Sequence, residues 1–204
     1  MRLACLTSGS ESSIWARREL ASRHDFVTPP DADVIVVLGG DGFLLQSIHE
    51  FMHLGRPLYG MNCDTVGVLL NELCTEGLVE RISGAVTVNL SPLHVETETI
   101  DGQVRSLLAF NEMSIVRYSG QSLNLGVYKD EKKQLQKYVG DGLILATPAG
   151  STAYNLAVRG PILPLTANVL ALTPVSPFRP RRWYGAVVPS STTLEVEVLD
   201  PEKR

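Results

Sequence analysis

Two patterns that could carry chemistry overlap in residues 36–53, VVLGGDGFLLQSIHEFMH. Gly39-Gly40-Asp41-Gly42 stands between an apolar run and a helical pattern, which is typical of a turn that binds phosphate. His49-Glu50-Phe51-Met52-His53 has the spacing of a zinc-protease helix, with both histidines on one face. Catalytic zinc needs a third protein ligand, and the only later histidine, His94, falls in a predicted strand. The sequence therefore favours phosphate, with zinc-dependent hydrolysis as an alternative.

The phosphate interpretation depends on the glycine turn itself. Glycines let a backbone approach a ligand closely, and the N–H groups at the start of the next helix point at the same place. Asp41 could accept the proton of an attacking hydroxyl, hold a metal ion, or only cap the helix. Neither the P-loop pattern nor the G-x-G-x-x-G fingerprint occurs in the chain, so an ordinary P-loop or Rossmann site is not predicted.

A second glycine-rich stretch, residues 140–157, reads GDGLILATPAGSTAYNLA. Asp141 again lies between glycines, and Thr147–Thr152 forms a hydroxyl-rich loop that leads into a short helical segment. Such a loop suits a nucleotide phosphate or ribose, or is a plain loop with a helix cap, and Tyr154 could stack on a base. Asn111-Glu112 adds an amide and a carboxylate that could hold adenine or ribose, or could be a β-bulge or an exposed polar pair.

The elements that must position these residues change character along the chain. Strand and helix signals alternate in the first half, and residues 33–38 form a nearly continuous β-branched run, as in a buried parallel strand. The second half has period-two alternation and hairpin turns, with one helical segment near 153–158. We therefore predict an α/β N-terminal domain with a parallel sheet, 1–88, followed by a β-rich C-terminal domain, 89–204. The predicted strands cover 2–7, 33–38, 57–59, 93–100, 104–116, 123–128, 134–138, 143–146, 169–172 and 193–199, and the predicted helices 14–21, 43–53 and 75–82.

Composition excludes several classes of protein. The 204 residues are 44% hydrophobic and 20% charged, as in ordinary globular domains, and the net charge of −4 gives no nucleic-acid footprint. No apolar run is long enough for a membrane helix, and the N-terminus is too weakly apolar for a signal peptide. Three cysteines without C-x-x-C spacing indicate free thiols in a reducing, cytoplasmic compartment.

Taken together and in this order, the motifs resemble the NAD kinase family, in particular its shorter bacterial branch. The family pattern is a G-G-D-G loop, then G-x-N-x-x-x-x-G, an N-E pair and D-G-x-x-x-x-T-P-x-G-S-T-A-Y. The first and third are Gly39–Gly42 and Asn111-Glu112, and the others run from Gly60 to Gly67 and from Asp141 to Tyr154. Further landmarks are Gly160–Pro164, Leu172–Pro177 and Phe178–Trp183.

The resemblance implies ATP-dependent phosphorylation of the 2′-hydroxyl on the adenosine ribose of NAD, giving NADP. It implies Asp41 as the general base, Gly42 as a place of close ligand approach, and Mg²⁺ as the ion that neutralises the triphosphate. It also implies a homo-oligomer, dimer or tetramer, without nucleic-acid or membrane partners. The residues it implies for NAD binding are Asp41, Gly42, Asn111, Glu112, Asp141, Ala149, Thr152, Ala153, Tyr154, Asn155, Leu156 and Ala157.

The chain departs from the family pattern at four of these places. Phe43 stands where Thr or Ser is usual, Asp64 and Arg159 where Gly is usual, and Val68 where Phe is usual. The family usually continues with further strands, so we expect the C-terminal tail to be truncated at Arg204. Two other functions stay as alternatives: a non-catalytic module that binds NAD or ATP, and a lipid or sugar kinase that shares the G-G-D-G loop.

Overall fold

The structure is a computed structural model that describes residues 1–64 and 67–201, so that residues 65–66 of the Gly60–Gly67 motif and the predicted polar end 202–204 lie outside the described residues. The chain divides into two compact units, Met1–Thr87 and Val88–Arg204. Among the described residues, no helix combines the length and apolarity needed to cross a membrane.

The first unit is a parallel sheet with helices on both faces. Its four strands are hydrogen-bonded in the order β1-β2-β3-β4, and every pair is parallel. Its elements are β1 (Leu3–Thr7), α1 (Glu11–Ala21), β2 (Val34–Gly39), α2 (Asp41–Phe51), β3 (Leu58–Asn62), β4 (Asn71–Glu72) and α3 (Leu78–Ser83), with 3₁₀ turns at Pro29–Asp31 and Met52–Leu54.

The composition of strand β2 explains why helices cover both faces of this sheet. All six of its residues are buried. Val36 packs among residues of α1 and α3, whereas Ile35 and Val37 pack with Leu44 of α2 on the other face. A strand that is apolar on both faces is stable only between two layers. The carboxyl ends of β1, β2 and β3 consequently meet at one edge of the sheet, where ligands bind in open α/β folds.

All three predicted helices are present with shifted boundaries, and the helix predicted over 75–82 is α3, Leu78–Ser83. Helix α1 begins at Glu11, not at residue 14, because the Ser10 side chain accepts a hydrogen bond from the Ser13 N–H and caps it earlier. Helix α2 begins at Asp41, directly after the glycines, and ends at Phe51, where the chain tightens into the 3₁₀ turn Met52–Leu54. The helix predicted over 43–53 is therefore displaced toward the N-terminus.

The second unit consists of antiparallel strands. A four-stranded sheet has the order β12-β11-β10-β7, a three-stranded sheet the order β13-β8-β9, and β5-β6 forms a separate hairpin. Leu143 and Leu172 of the larger sheet pack with Leu125 and Tyr138 of the smaller one. The elements are β5 (Leu93–Glu98), β6 (Val104–Ala109), β7 (Glu112–Val116), β8 (Leu123–Lys129), β9 (Lys132–Gly140), β10 (Gly142–Ala146), α4 (Tyr154–Ala157), β11 (Val169–Val175), β12 (Ala186–Pro189) and β13 (Leu194–Val198), with a 3₁₀ turn at Ala149–Thr152.

The prediction of a single strand over 104–116 was wrong. It is two strands in different sheets, β6 in the hairpin and β7 at the edge of the four-stranded sheet. The break falls at Phe110-Asn111, where both carbonyl groups accept hydrogen bonds from the Thr147 side chain instead of continuing a ladder. Apolar and β-branched residues flank this break on both sides, as they do in one continuous strand. The predicted class, a parallel α/β domain followed by a β-rich domain, is confirmed.

Candidate active site

The phosphate loop of the first unit joins β2 directly to α2. Gly40 is the N-cap of α2, and it has no side chain that could accept a hydrogen bond from the first turn. The first N–H groups of an eleven-residue helix are therefore left for another acceptor, and the positive end of the helix dipole lies at the same place. Both features suit an anion.

Asp41 is the first residue of α2, and main-chain groups hold its carboxylate in place. Oδ2 accepts a hydrogen bond from the N–H of Val68 at 2.8 Å, and Oδ1 accepts one from the N–H of Leu69 at 3.1 Å. A carboxylate has about four acceptor sites, so each oxygen keeps one for a ligand hydroxyl. The two bonds fix the rotamer, which is what a general base needs.

The zinc interpretation of His49–His53 finds no support in the first unit. Helix α2 ends at Phe51, so that His53 lies in the 3₁₀ turn and the two histidines are not i and i+4 on one helix. In the ranges 1–64 and 67–201, no three side chains of His, Cys, Asp or Glu are grouped so that they could hold a metal ion. The pattern belongs to an exposed helix end.

Thr147 organises the candidate site of the second unit. Its side chain is 1% exposed, and its Oγ1 donates to the carbonyl oxygen of Phe110 at 2.6 Å and accepts from the N–H of Gly150 at 3.1 Å. The backbone N–H of Thr147 also donates to the carbonyl oxygen of Asn111 at 2.9 Å. One residue thus joins the start of β7, where Glu112 lies, to the Ala149–Thr152 turn.

Glu112 has an unsatisfied carboxylate oxygen. Its Oε2 is buried and has no hydrogen-bond partner in the described structure. Burial raises the pKa of this carboxyl above its usual range. A buried acceptor without a donor is costly, and a ribose hydroxyl or an adenine amino group would satisfy it.

We expect the stability of the second unit to depend on the charge of Glu112. The pKa of Glu112 is higher in the folded chain than its unfolded value of about 4.3. The protonated carboxyl therefore stabilises the folded state below that value, and this contribution is lost as pH rises through the folded-state pKa. Glu112→Gln should therefore unfold at a higher urea concentration than the natural chain at pH 7, and lose this advantage near pH 4. Glu96→Gln, on an exposed strand position, is the control. An advantage for Glu112→Gln that is equal at both pH values would contradict this.

The segment after the Ala149–Thr152 turn presents some predicted residues outward and buries others. Ala153, Tyr154, Leu156 and Ala157 are exposed, whereas Ala149 is buried. Asn155 is fully buried, its Nδ2 donating to Ser151 and Pro161 carbonyl oxygens at 3.0 and 2.9 Å. Its Oδ1 accepts from Thr173 at 2.6 Å. Asn155 positions the segment, and its contact with a ligand stays a prediction.

Asp141 has an ion-pair partner. The Arg117 Nε donates to its Oδ1 at 2.7 Å, and the backbone N–H of Arg117 donates to the Asp141 carbonyl oxygen at 2.9 Å. Both side chains are more than one-third exposed. A ligand group near Asp141 would therefore meet an exposed carboxylate that is already paired with a guanidinium group.

Comparisons with known proteins agree with these motifs. Residues 110–204 match the family model described as the ATP-NAD kinase C-terminal domain. The NAD kinase of Brucella suis biovar 1 is 48% identical over 204 residues, covering 100% of this chain and 79% of the relative. The chain belongs to the NAD kinase family. The NAD kinase of Rhizobium meliloti is likewise 48% identical, over 99% of this chain and 79% of its own length.

Solved structures show that the family fold is present. A yeast NADH kinase in complex with NADH has a TM-score of 0.76 at 18% identity and covers 98% of this chain and 72% of its own. An NAD kinase from Archaeoglobus fulgidus in complex with ATP has a TM-score of 0.72 at 23% identity, covering 97% and 81%. At these identities the likeness concerns the fold alone.

Arg159 departs from the NAD kinase pattern at a strained position. Its φ is +66°, in the left-handed region that favours glycine, the residue that the family resemblance predicts at this position. A side chain costs about 1–2 kcal/mol there, and the greater freedom of glycine in the unfolded chain offsets about half of that. We expect Arg159→Gly to raise the free energy of unfolding of the second unit by about 0.5–1 kcal/mol in urea denaturation. Arg159→Ala keeps the Cβ and should give no gain; an equal gain would show that the guanidinium, not the backbone, is the cause.

The structure also adds residues that sequence reasoning did not assign to the site. The Val68 and Leu69 amides carry no sequence signal, because every residue except proline has one. Arg117 lies 24 residues from Asp141, so that only the pairing of β7 with β10 reveals their contact. Thr147 was predicted as part of the hydroxyl-rich loop, but its side chain is buried and its hydroxyl is bonded to Phe110 and Gly150, so that it holds the loop in place.

Proposed function

We propose that this chain catalyses the ATP-dependent phosphorylation of the 2′-hydroxyl on the adenosine ribose of NAD, giving NADP. The observation that carries the proposal is the 48% identity over the whole chain to an NAD kinase. Membership of this family makes the chain a kinase and does not favour a lipid or sugar kinase. The earlier alternative of zinc hydrolysis has no ligand set among the described residues.

Asp41 is the proposed general base. The ribose oxygen attacks the γ-phosphorus of ATP, the bond from that phosphorus to the ADP oxygen breaks, and the hydroxyl proton passes to the Asp41 carboxylate. The free acceptor site on each oxygen, beside the two amide bonds, supports this role. The N-terminus of α2 at Gly40 and Gly42 supports binding of the transferred phosphate.

The second unit supplies the proposed NAD contacts. Glu112, with its unsatisfied Oε2, and Asn111 would bind the adenosine, and the exposed Tyr154 would lie against a base. Asp141 would contact the nicotinamide side or the neighbouring ligand. The remaining proposed lining residues are Ala149, Thr152, Ala153, Asn155, Leu156 and Ala157.

Mg²⁺ is proposed as part of the substrate, MgATP. Magnesium in phosphoryl-transfer enzymes is usually held by one or two carboxylates together with phosphate oxygens. The described residues, with no group of three ligands, fit an ion that arrives on the triphosphate. Bound there, Mg²⁺ neutralises charge on the transferring phosphate.

The domain limits, assembly and location are further parts of the proposal. Residues 1–88 would carry the phosphate loop and 89–204 the NAD contacts. The chain would form a dimer or tetramer. Sedimentation measures the assembly directly.

A reducing compartment, the cytoplasm, is the proposed location. The three cysteines are free thiols, and burial raises the pKa of Cys5 to about 11, which keeps that thiol protonated.

The experiment is an assay of NADP formation by the chain from NAD, ATP and Mg²⁺, detected with an NADP-specific dehydrogenase. NADP above the rate of a no-enzyme control supports the kinase, and NADH and polyphosphate in parallel reactions define acceptor and donor. NAD binding measured by calorimetry without any NADP would instead support the module that binds NAD or ATP without turnover.

A further inference from the structure

Asp64 is a charged residue at the phosphate loop that the proposed reaction does not use. It follows β3 at the carboxyl edge of the parallel sheet, and its N–H donates to the Oδ1 of Asn62 at 3.0 Å. Its own carboxylate lies against the Cα of Gly40, because a Cβ added to Gly40 would overlap with the Asp64 Oδ2. The chain thus places an exposed negative charge beside the N-cap of α2.

This is an unusual place for a carboxylate in a site that receives phosphate. The N-cap Gly40 forms no side-chain cap hydrogen bond, and the Asp64 carboxylate lies beside this helix N-terminus. An ionised carboxylate repels an anion over several ångströms, and the repulsion is only partly screened at a protein surface. A triphosphate that carries Mg²⁺ has two fewer negative charges and is repelled much less.

We propose that Asp64 is a specificity residue that makes the phosphate loop discriminate against free ATP in favour of MgATP. The inference rests on the proposed function, since it takes Gly39–Gly42 as the place where phosphate binds. Its charge raises the dissociation constant of the metal-free nucleotide, whereas the metal-bound nucleotide loses little. Phosphoryl transfer needs the metal-bound form, so that excluding free ATP keeps the loop available for the productive substrate.

The test compares the natural chain with Asp64→Asn by calorimetry, using ATP with EDTA and ATP with excess Mg²⁺. We expect Asp64→Asn to bind free ATP about three- to thirty-fold more tightly and MgATP less than about three-fold differently. The gain for free ATP should shrink as salt is raised. Asp25→Asn is the matched control, because it removes the same charge from an exposed position beside Phe26, which pairs with Leu3 at the opposite end of β1.

Several results would overturn the inference. Weaker MgATP binding by Asp64→Asn with free ATP unchanged would make Asp64 a metal contact instead. Equal effects of Asp64→Asn and Asp25→Asn would show that the net charge of the chain, and not the position of Asp64, sets the affinity. No change in the affinity for free ATP or MgATP would show that Asp64 has no role in the discrimination. NADP formation, assayed separately, reports on the proposed function, so that either idea can fail while the other survives.

Discussion

Replacing Asp41 by Asn is expected to lower kcat for NADP formation by about 100-fold or more. An amide cannot accept the ribose proton, although it has nearly the same size as the carboxylate. The Asn side chain also places an NH₂ donor opposite one of the two backbone N–H groups, of Val68 or Leu69, that now donate to the carboxylate. We therefore expect a smaller, separate rise in KM. The measurement is the initial rate of NADP formation over a range of NAD and ATP concentrations.

Two variants separate the chemical role of Asp41 from its hold on the main chain. Val68→Pro removes the amide that donates to Oδ2 and leaves the carboxylate in place, so that kcat should fall by about ten-fold at most. Asp25→Asn removes an exposed charge of the same unit and should change neither constant. A loss in Val68→Pro as large as that in Asp41→Asn would mean that positioning, and not proton transfer, accounts for the effect.

Replacing Gly150 by Ala is expected to lower the free energy of unfolding of the second unit by about 3 kcal/mol and to abolish NAD binding. The added Cβ would overlap with the backbone carbonyl group of Asn111, which is held in turn by Thr147 and cannot move aside. Unfolding in urea can be followed by tryptophan fluorescence in a Trp15→Phe background, which leaves Trp183 as the fluorophore. Its ring packs edge-on against Tyr138, with 5.7 Å between the ring centroids. NAD affinity is measured in the absence of urea.

The controls for Gly150 lie in the same unit. Gly120→Ala adds the same methyl group where nothing lies within 4 Å, and should change stability by less than about 0.5 kcal/mol. Thr147→Val keeps the shape and removes the hydroxyl that joins Gly150 to Phe110, so that it should weaken NAD binding without overlap. Unaltered NAD binding by Gly150→Ala would show that NAD binding does not require the close contact between the Asn111 backbone and the Ala149–Thr152 turn.

The fold class could be predicted because burial imposes a pattern on sequence. Residues 34–38 are apolar on both faces of β2, and only a strand between two helical layers requires this. The division of 104–116 into two strands could not be predicted, because apolar and β-branched residues flank the break on both sides, as they do in one continuous strand. What ends β6 is a hydrogen bond from Thr147, 37 residues along the chain, and local sequence contains no signal of such a contact.

The candidate site was predictable as a set of motifs and less so as geometry. The turn Gly39–Gly42 lies at the carboxyl end of β2, as expected from an apolar run followed by glycines. Asn155 was grouped with ligand contacts because it lies in a motif, yet its amide is fully buried and bonded inside the unit. Periodicity could not separate it from the exposed Tyr154, since a helix of four residues has no second turn.

Asp41 is both the proposed base and the acceptor of the Val68 and Leu69 amides. Selection for turnover and selection for an ordered loop therefore both act on this one side chain. A descendant that kept nucleotide binding but no longer needed turnover could not simply discard the carboxylate, because the segment after β3 would lose its anchor. In such a lineage the aspartate would persist after the reaction had been lost, and its presence in a distant relative would indicate an ordered loop before it indicated an active enzyme.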